Sequence, residues 1–276
     1  MTPAQPARPT QQPAAPRIRW YHGLTGYHWF VLIVASLGWL FDTMDQQLFN
    51  LARTPALTEL LGAGADPLTV SRYAGYTTSI LVIGWATGGL IFGMLGDRWG
   101  RAKTMLLAII VYSAFTGLSA FSATWWDFAI YRFLTGLGVG GEFAAGVSLV
   151  AEVMPNHSRP FALGLLQALS AFGNMMAAGL SFVLRPQAQI AGVAGWRLLF
   201  IVGILPALLV VLVMRRLREP DSWLKARDAA RDAARDAAAP AAARGPSAPA
   251  ARQAMGSIGE LFGDPRWRRN AIVGIV

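Results

Sequence analysis

Four ionisable residues lie inside stretches otherwise too apolar to hold them. Asp42 and Asp45 are three residues apart in the run from His28 to Asn50, and Arg132 and Glu142 are ten apart in Asp127–Val153. A spacing of three puts both aspartates on one face of a helix. Ten residues of helix separate Arg132 from Glu142 by ~15 Å. Charge at membrane depth is expensive and points to function. Carboxylates on one helix and a guanidinium on its neighbour can neutralise one another; protonating an aspartate releases the arginine, and the exchange reverses when the pair re-forms. This is the chemistry of proton coupling, with Asp45 and Asp42 as the proton-carrying groups and Arg132 as counter-charge or anion anchor. Gln167 and Asn174, seven apart in a later run, share one face. Their amides can donate to a carboxylate or to a hydroxyl, so with Glu142 and Arg132 they form a candidate substrate-contacting set.

The elements that must position these groups are read from composition. Of 276 residues 54% are hydrophobic and only 14% charged, too apolar for a soluble domain of this length. Cysteine is absent, which excludes disulfides, thiolate-bound metal and a cysteine nucleophile. The net charge of +9 sits beside apolar runs, so anionic lipid and membrane topology account for it better than nucleic acid. His22, His28 and His157 fall at the edges of runs without metal-ligand spacing. Gly136-Leu-Gly138-Val-Gly140-Gly141 formally reads as a dinucleotide fingerprint, yet it lies inside an apolar run with no preceding strand. Together with Gly84-x-x-x-Gly88 and Gly89-x-x-x-Gly93 it reads as small residues that let helices approach closely. The expectation is a non-enzymatic protein with no cofactor and no metal.

Six runs are long enough to cross a bilayer: His28–Asn50, Tyr73–Phe92, Ala102–Phe121, Asp127–Val153, Ser158–Leu184 and Trp196–Met214. The expected fold is all-α, a six-helix membrane bundle over residues 27–216. A disordered cytoplasmic tail is expected over 1–26. Leu51–Arg72, with two prolines and two glycines, reads as a loop with at most one short surface helix. Gly93–Lys103 reads as a tight loop. Residues 217–265 read as a cytoplasmic extension, in which Arg-Asp-Ala-Ala repeats at Arg227, Arg231 and Arg235 before an alanine and proline linker. Residues 266–276 read as the start of a seventh span. On this map nineteen lysines and arginines lie on one face and three on the other, with Arg197 at the boundary. The positive-inside rule then places both ends in the cytoplasm.

Gly93, Asp97, Arg98, Gly100, Arg101 and Lys103 stand in a pattern that resembles the signature loop of the major facilitator superfamily of transporters. Arg132 to Glu142, then Glu152-x-x-Pro155-x-x-x-Arg159, is similar to the fourth span and following loop of the sugar porter and metabolite:proton symporter branch. Gly195-Trp196-Arg197 and Glu219-Pro220-Asp221-Ser222 are similar to its closing motifs. Asp42-Thr-Met-Asp45 resembles an element of aromatic-acid and sialate-type symporters, and Phe143 after Glu142 points the same way. Gln167 to Asn174 resembles a sugar-binding element of the sugar porters instead.

The resemblance implies proton symport of a small polar metabolite, an organic acid first and a sugar or polyol as the alternative. It implies an inner-membrane location and two six-helix halves, of which this sequence resembles the first. A second half is therefore an expected partner, and a non-transporting fragment or subunit is the further alternative. It also implies a cytoplasmic gate made by Gly93, Asp97, Arg98, Gly100, Arg101 and Lys103 with Glu152, Arg159 and Glu219.

Overall fold

The computed structural model describes residues 19–62, 64–205 and 217–238, and residue 263 beyond them. Helix α1 spans Gly26–Leu61 and starts at a capping box in which Thr25 and His28 satisfy each other's backbone N–H. At 36 residues it reaches ~54 Å, well beyond one bilayer crossing. The loop expected over Leu51–Arg72 is therefore corrected, since α1 runs through Pro55 and only residues 62–66 connect it to the next helix. Packing explains the difference. Ala52, Ala56 and Leu57 are fully buried, which outweighs the one backbone hydrogen bond that Pro55 cannot make.

Helix α2 spans Pro67–Trp99. Asp66 caps it by accepting from the N–H groups of Leu68 and Thr69, and Pro67 occupies the first turn, where its missing donor costs nothing. Helix α3, Arg101–Ser119, follows after a single residue, Gly100. The tight loop expected at Gly93–Lys103 thus shrinks to one glycine, because α2 continues past the apolar run and an Asp97–Arg101 ion pair of 2.6 Å bridges the break. Helix α4, Trp125–Val153, begins at a second capping box, Thr124 with Asp127. Helix α5 covers Arg159–Leu184.

A two-residue turn at Ala191 and Gly192, both with positive φ, then joins strands β1, Gln189–Ile190, and β2, Val193–Ala194. This small hairpin is an addition to the all-α expectation. Helix α6 covers Gly195–Val202 and α7 covers Asp221–Ala238. In α7 Arg227 pairs with its neighbour Asp228 at 2.8 Å. The rest of the sixth run, the linker and the expected seventh span lie outside the described residues.

Helices of the bundle cross in places with almost no side chain between the backbones. A Cβ added at Gly84 or Gly88 of α2 would overlap the carbonyls of Phe133 or Leu137. One added at Gly136 or Gly140 of α4 would overlap those of Leu81 or Trp85. The glycines of both helices therefore interdigitate as a ladder, the close approach that small residues permit. Helix α1 meets α5 where a Cβ at Gly173 would overlap the Leu40 carbonyl, and the Thr43 hydroxyl donates to the Ser170 carbonyl at 3.2 Å.

The interior divides into two apolar clusters. One surrounds Val31–Trp39, Met105, Val139 and Leu149; the other surrounds Met44–Leu57, Phe128, Trp196 and Phe200. Outer faces of α2 and α5 carry Val82, Ile83, Leu90, Phe172, Met175 and Phe182, all exposed. Five helices are long and apolar enough to cross a membrane, and such faces suit hydrocarbon. Ahead of α1, Trp20 stacks on Phe161 and accepts from the Ser158 hydroxyl through its carbonyl. Tyr27 and Arg218 are also joined: the Tyr27 hydroxyl donates to the Arg218 carbonyl at 2.9 Å and accepts from its N–H at 3.2 Å.

Candidate functional site

The seam between the two apolar clusters is where the ionisable residues of α1 and α4 meet. Arg132 is fully buried, and its Nη1 lies 3.6 Å from Oδ2 of Asp45, itself 2% exposed. The guanidinium is held from α3 as well. Nη2 donates to the Ser119 hydroxyl at 2.7 Å and to the Phe115 carbonyl at 3.4 Å, and Nε donates to the same hydroxyl at 3.1 Å. Rings of Phe49, Phe128 and Phe200 surround it, the nearest centroid 4.7 Å away. Such a cage screens the pair from solvent while offering the cation π-faces.

The other two acids are set apart from this pair. Asp42 and Glu142 are buried and lie within reach of one another, and the Tyr112 hydroxyl lies beside Asp42. Among the described residues no donor makes a well-aligned hydrogen bond to the carboxylate oxygens of Asp42 or Glu142. Space for the Glu142 carboxyl exists because Gly38 on α1 lacks a side chain: a Cβ there would overlap it. The structure thus buries all four groups as two neighbouring pairs, Asp45 with Arg132 and Asp42 with Glu142. Gln167 and Asn174 are exposed on α5.

Sequence reasoning missed the contribution of α3. Tyr112, Ser113, Thr116 and Ser119 are all buried and line one side of that helix. Their spacing of one, four and seven marks a polar stripe within an apolar run, which was the available signal. It also missed Glu59, which lay in the stretch read as a loop. Glu59 accepts from Trp196 Nε1 at 2.7 Å and pairs with Arg197 at 2.9 Å, fastening the far end of α1 to the start of α6.

At the opposite end of the bundle the motif residues form a second polar cluster. Arg101 bridges Asp97 and Glu152, at 2.6 and 2.9 Å. Glu152 also accepts from the Ser222 hydroxyl at 3.3 Å, and Trp223 Nε1 donates to the Asp97 carbonyl at 2.8 Å. Glu219 accepts from the N–H groups of Ala102 and Lys103, at 3.1 and 3.2 Å, where a carboxylate meets the positive end of the helix dipole. Gly100 has φ 114°, and any Cβ there would collide with that carboxylate, so only glycine fits. Arg98 and the Lys103 side chain are exposed, Gly93 has open space around it, and Arg159 opens α5 with a buried Nε. Replacing Glu219 with alanine should cost about 1 kcal/mol by removing a cap. A fall of a few degrees in the unfolding midpoint in detergent would confirm that contribution.

The profile of the family described as "Sugar (and other) transporter" matches residues 24–275. The chain belongs to this family. It is 33% identical over 206 residues to a benzoate transport protein of Acinetobacter baylyi, an alignment covering 73% of this chain and 41% of the relative. A sialic acid transporter of Escherichia coli is 30% identical over 207 residues, covering 75% and 48%. Among solved structures, a major facilitator superfamily proton:xylose symporter superposes with a TM-score of 0.66 at 22% identity, covering 73% of this chain and 47% of the symporter. The fold is therefore the major facilitator fold, and the chain spans about half the length of the curated relatives it matches. Family members are multi-pass membrane transporters rather than enzymes.

Proposed function

We propose that the chain serves as the six-helix N-terminal half of a proton symporter for a small organic acid, set in the inner membrane with both ends cytoplasmic. The observation that carries this reading is the Asp45–Arg132 pair, an ion pair buried among three phenyl rings. A structural ion pair would be served better by hydrophobic residues of like volume, whereas a proton carrier needs a carboxylate whose partner can be released. Relatives named for benzoate and sialic acid favour a carboxylate substrate.

In this reading a proton reaching Asp45 frees Arg132, which stays tethered to Ser119 and Phe115. The changed charge balance then favours the other orientation of the two halves. Arg132 acts as counter-charge rather than as a direct substrate contact, because it is sealed. Gln167 and Asn174 are accessible, and their amides donate to the substrate where the second half stands opposite, near the midplane as in other transporters of this kind. Asp97, Arg101, Glu152 and Glu219 close the cytoplasmic end, with Gly93, Arg98, Gly100, Lys103 and Arg159 in the same gate.

The test uses vesicles holding this half together with a second half, an imposed proton gradient and labelled benzoate. Asp45→Asn should abolish uphill accumulation and leave exchange across a substrate gradient running. Accumulation equal to the unaltered protein would sink the proposal. A sugar or polyol porter is the second reading, favoured by the exposed amide pair. Uptake of labelled xylose or glucose in place of benzoate would decide for it.

A further inference from the structure

Charge in the buried layer does not balance. Among the described residues three buried carboxyl groups, Asp42, Asp45 and Glu142, accompany a single buried cation, Arg132. Arg132 belongs to Asp45: it lies on α4 about ten residues, or ~15 Å along the axis, from Glu142. The groups facing the Asp42–Glu142 pair can be named element by element. From α1 comes Asp45, from α3 the Tyr112 hydroxyl, and from α4 nothing ionisable besides Glu142 itself and the committed Arg132. Close around the Glu142 carboxyl, Gly38 lies on α1, the Met105 methyl on α3 and Gly146 on α4, none of which donates a hydrogen bond to it.

Two facing carboxylates without a cation or a well-aligned donor cannot both stay ionised in such surroundings, since isolated buried charge costs far more than any contact here returns. The simplest arrangement that satisfies them is one shared proton, an O–H of one acid donated to an oxygen of the other. We propose that Asp42 and Glu142 form a second proton-binding site, a carboxylic acid–carboxylate pair separate from Asp45–Arg132, with Tyr112 as its positioning residue. The proton comes from water on the side to which the half opens, and it leaves again to water only when opening hydrates the carboxylates, changing the charge of the pair by one. This inference deepens the symport reading and rests on it for its role in transport, but the site itself does not depend on which substrate is carried.

A measurement on the 276-residue chain in lipid vesicles separates the two. Infrared difference spectra taken across a pH change report the C=O stretch of a protonated carboxylic acid, identified by its shift in heavy water. The unaltered chain should show such a band. Asp42→Asn with Glu142→Gln together should remove it, and Asp45→Asn should leave it in place. Tyr112→Phe should move the band without removing it, an effect that loss of packing alone does not produce. These amide replacements keep side-chain volume and can bond to each other, so the double variant is expected to fold, and circular dichroism of the same vesicles checks it. Should the refolded double variant show an altered helix signal, each single amide variant must shift the band instead. A band that survives the double variant unchanged, or none in the unaltered chain, overturns the proposal. Failure of the symport reading shows elsewhere, in uphill uptake by Asp45→Asn.

Discussion

Arg132→Met should lower stability by about 3–5 kcal/mol, because it leaves the Asp45 carboxylate buried without its cation. Among the described residues nothing nearby replaces the guanidinium: its other contacts are a hydroxyl, a carbonyl and three phenyl rings. At roughly 2–4 °C per kcal/mol for a chain of this size, the unfolding midpoint in detergent should fall by roughly 6–20 °C. The double variant Arg132→Met with Asp45→Leu removes both charges and fills the space with apolar atoms, and it should recover most or all of the loss. Two separate losses that simply add would refute an ion pair as the source of the effect.

Gly140→Val should disrupt the bundle as severely by a different route. The new side chain meets the Trp85 carbonyl and the Gly89 N–H of α2, both backbone, so no rotamer change can relieve the clash. Overpacking a core costs about 1–3 kcal/mol even where side chains can yield; here α2 and α4 must separate along their shared ladder, which removes the contacts at Gly84, Gly88 and Gly136 too. Loss of monodisperse protein is the expected readout on size exclusion in detergent. Gly93→Ala, Gly164→Ala and Gly179→Ala are the controls. A Cβ at each meets nothing within 4 Å, and alanine is the better helix former, so these three should fold as well as the unaltered chain or better. If Gly140→Val behaved like them, the close approach of α2 and α4 would be wrong.

Much of this arrangement was legible in the residues. Asp42, Asp45, Arg132 and Glu142 stand out because hydrocarbon makes ionisable groups conspicuous, and a spacing of three puts both aspartates on one helical face. The glycines of α2 and α4 were read as packing residues, although which glycine meets which carbonyl depends on the crossing and is not written in either helix alone. Helix ends were harder. Pro55 and the glycines near it argue locally for a loop, while burial of Ala52, Ala56 and Leu57 is a property of the partners they meet. The charges of Gly93–Lys103 cannot enter lipid and so argue for a loop, yet a helix can emerge from a membrane and keep its hydrogen bonds, as α2 does to Trp99. Spacing could not pair three acids with one base, either. Assigning Arg132 to Asp45 required the register of α1 against α4, and only then did Asp42 and Glu142 become a pair of their own.

The hydrogen bonds between Tyr27 and Arg218 carry a topological consequence. They place the entry to α1 and the stretch just before α7 at the same surface of the molecule. A path that starts and finishes on one side of a barrier has traversed it an even number of times, whatever route it takes between. A reagent confined to one side of the membrane should therefore reach both positions or neither.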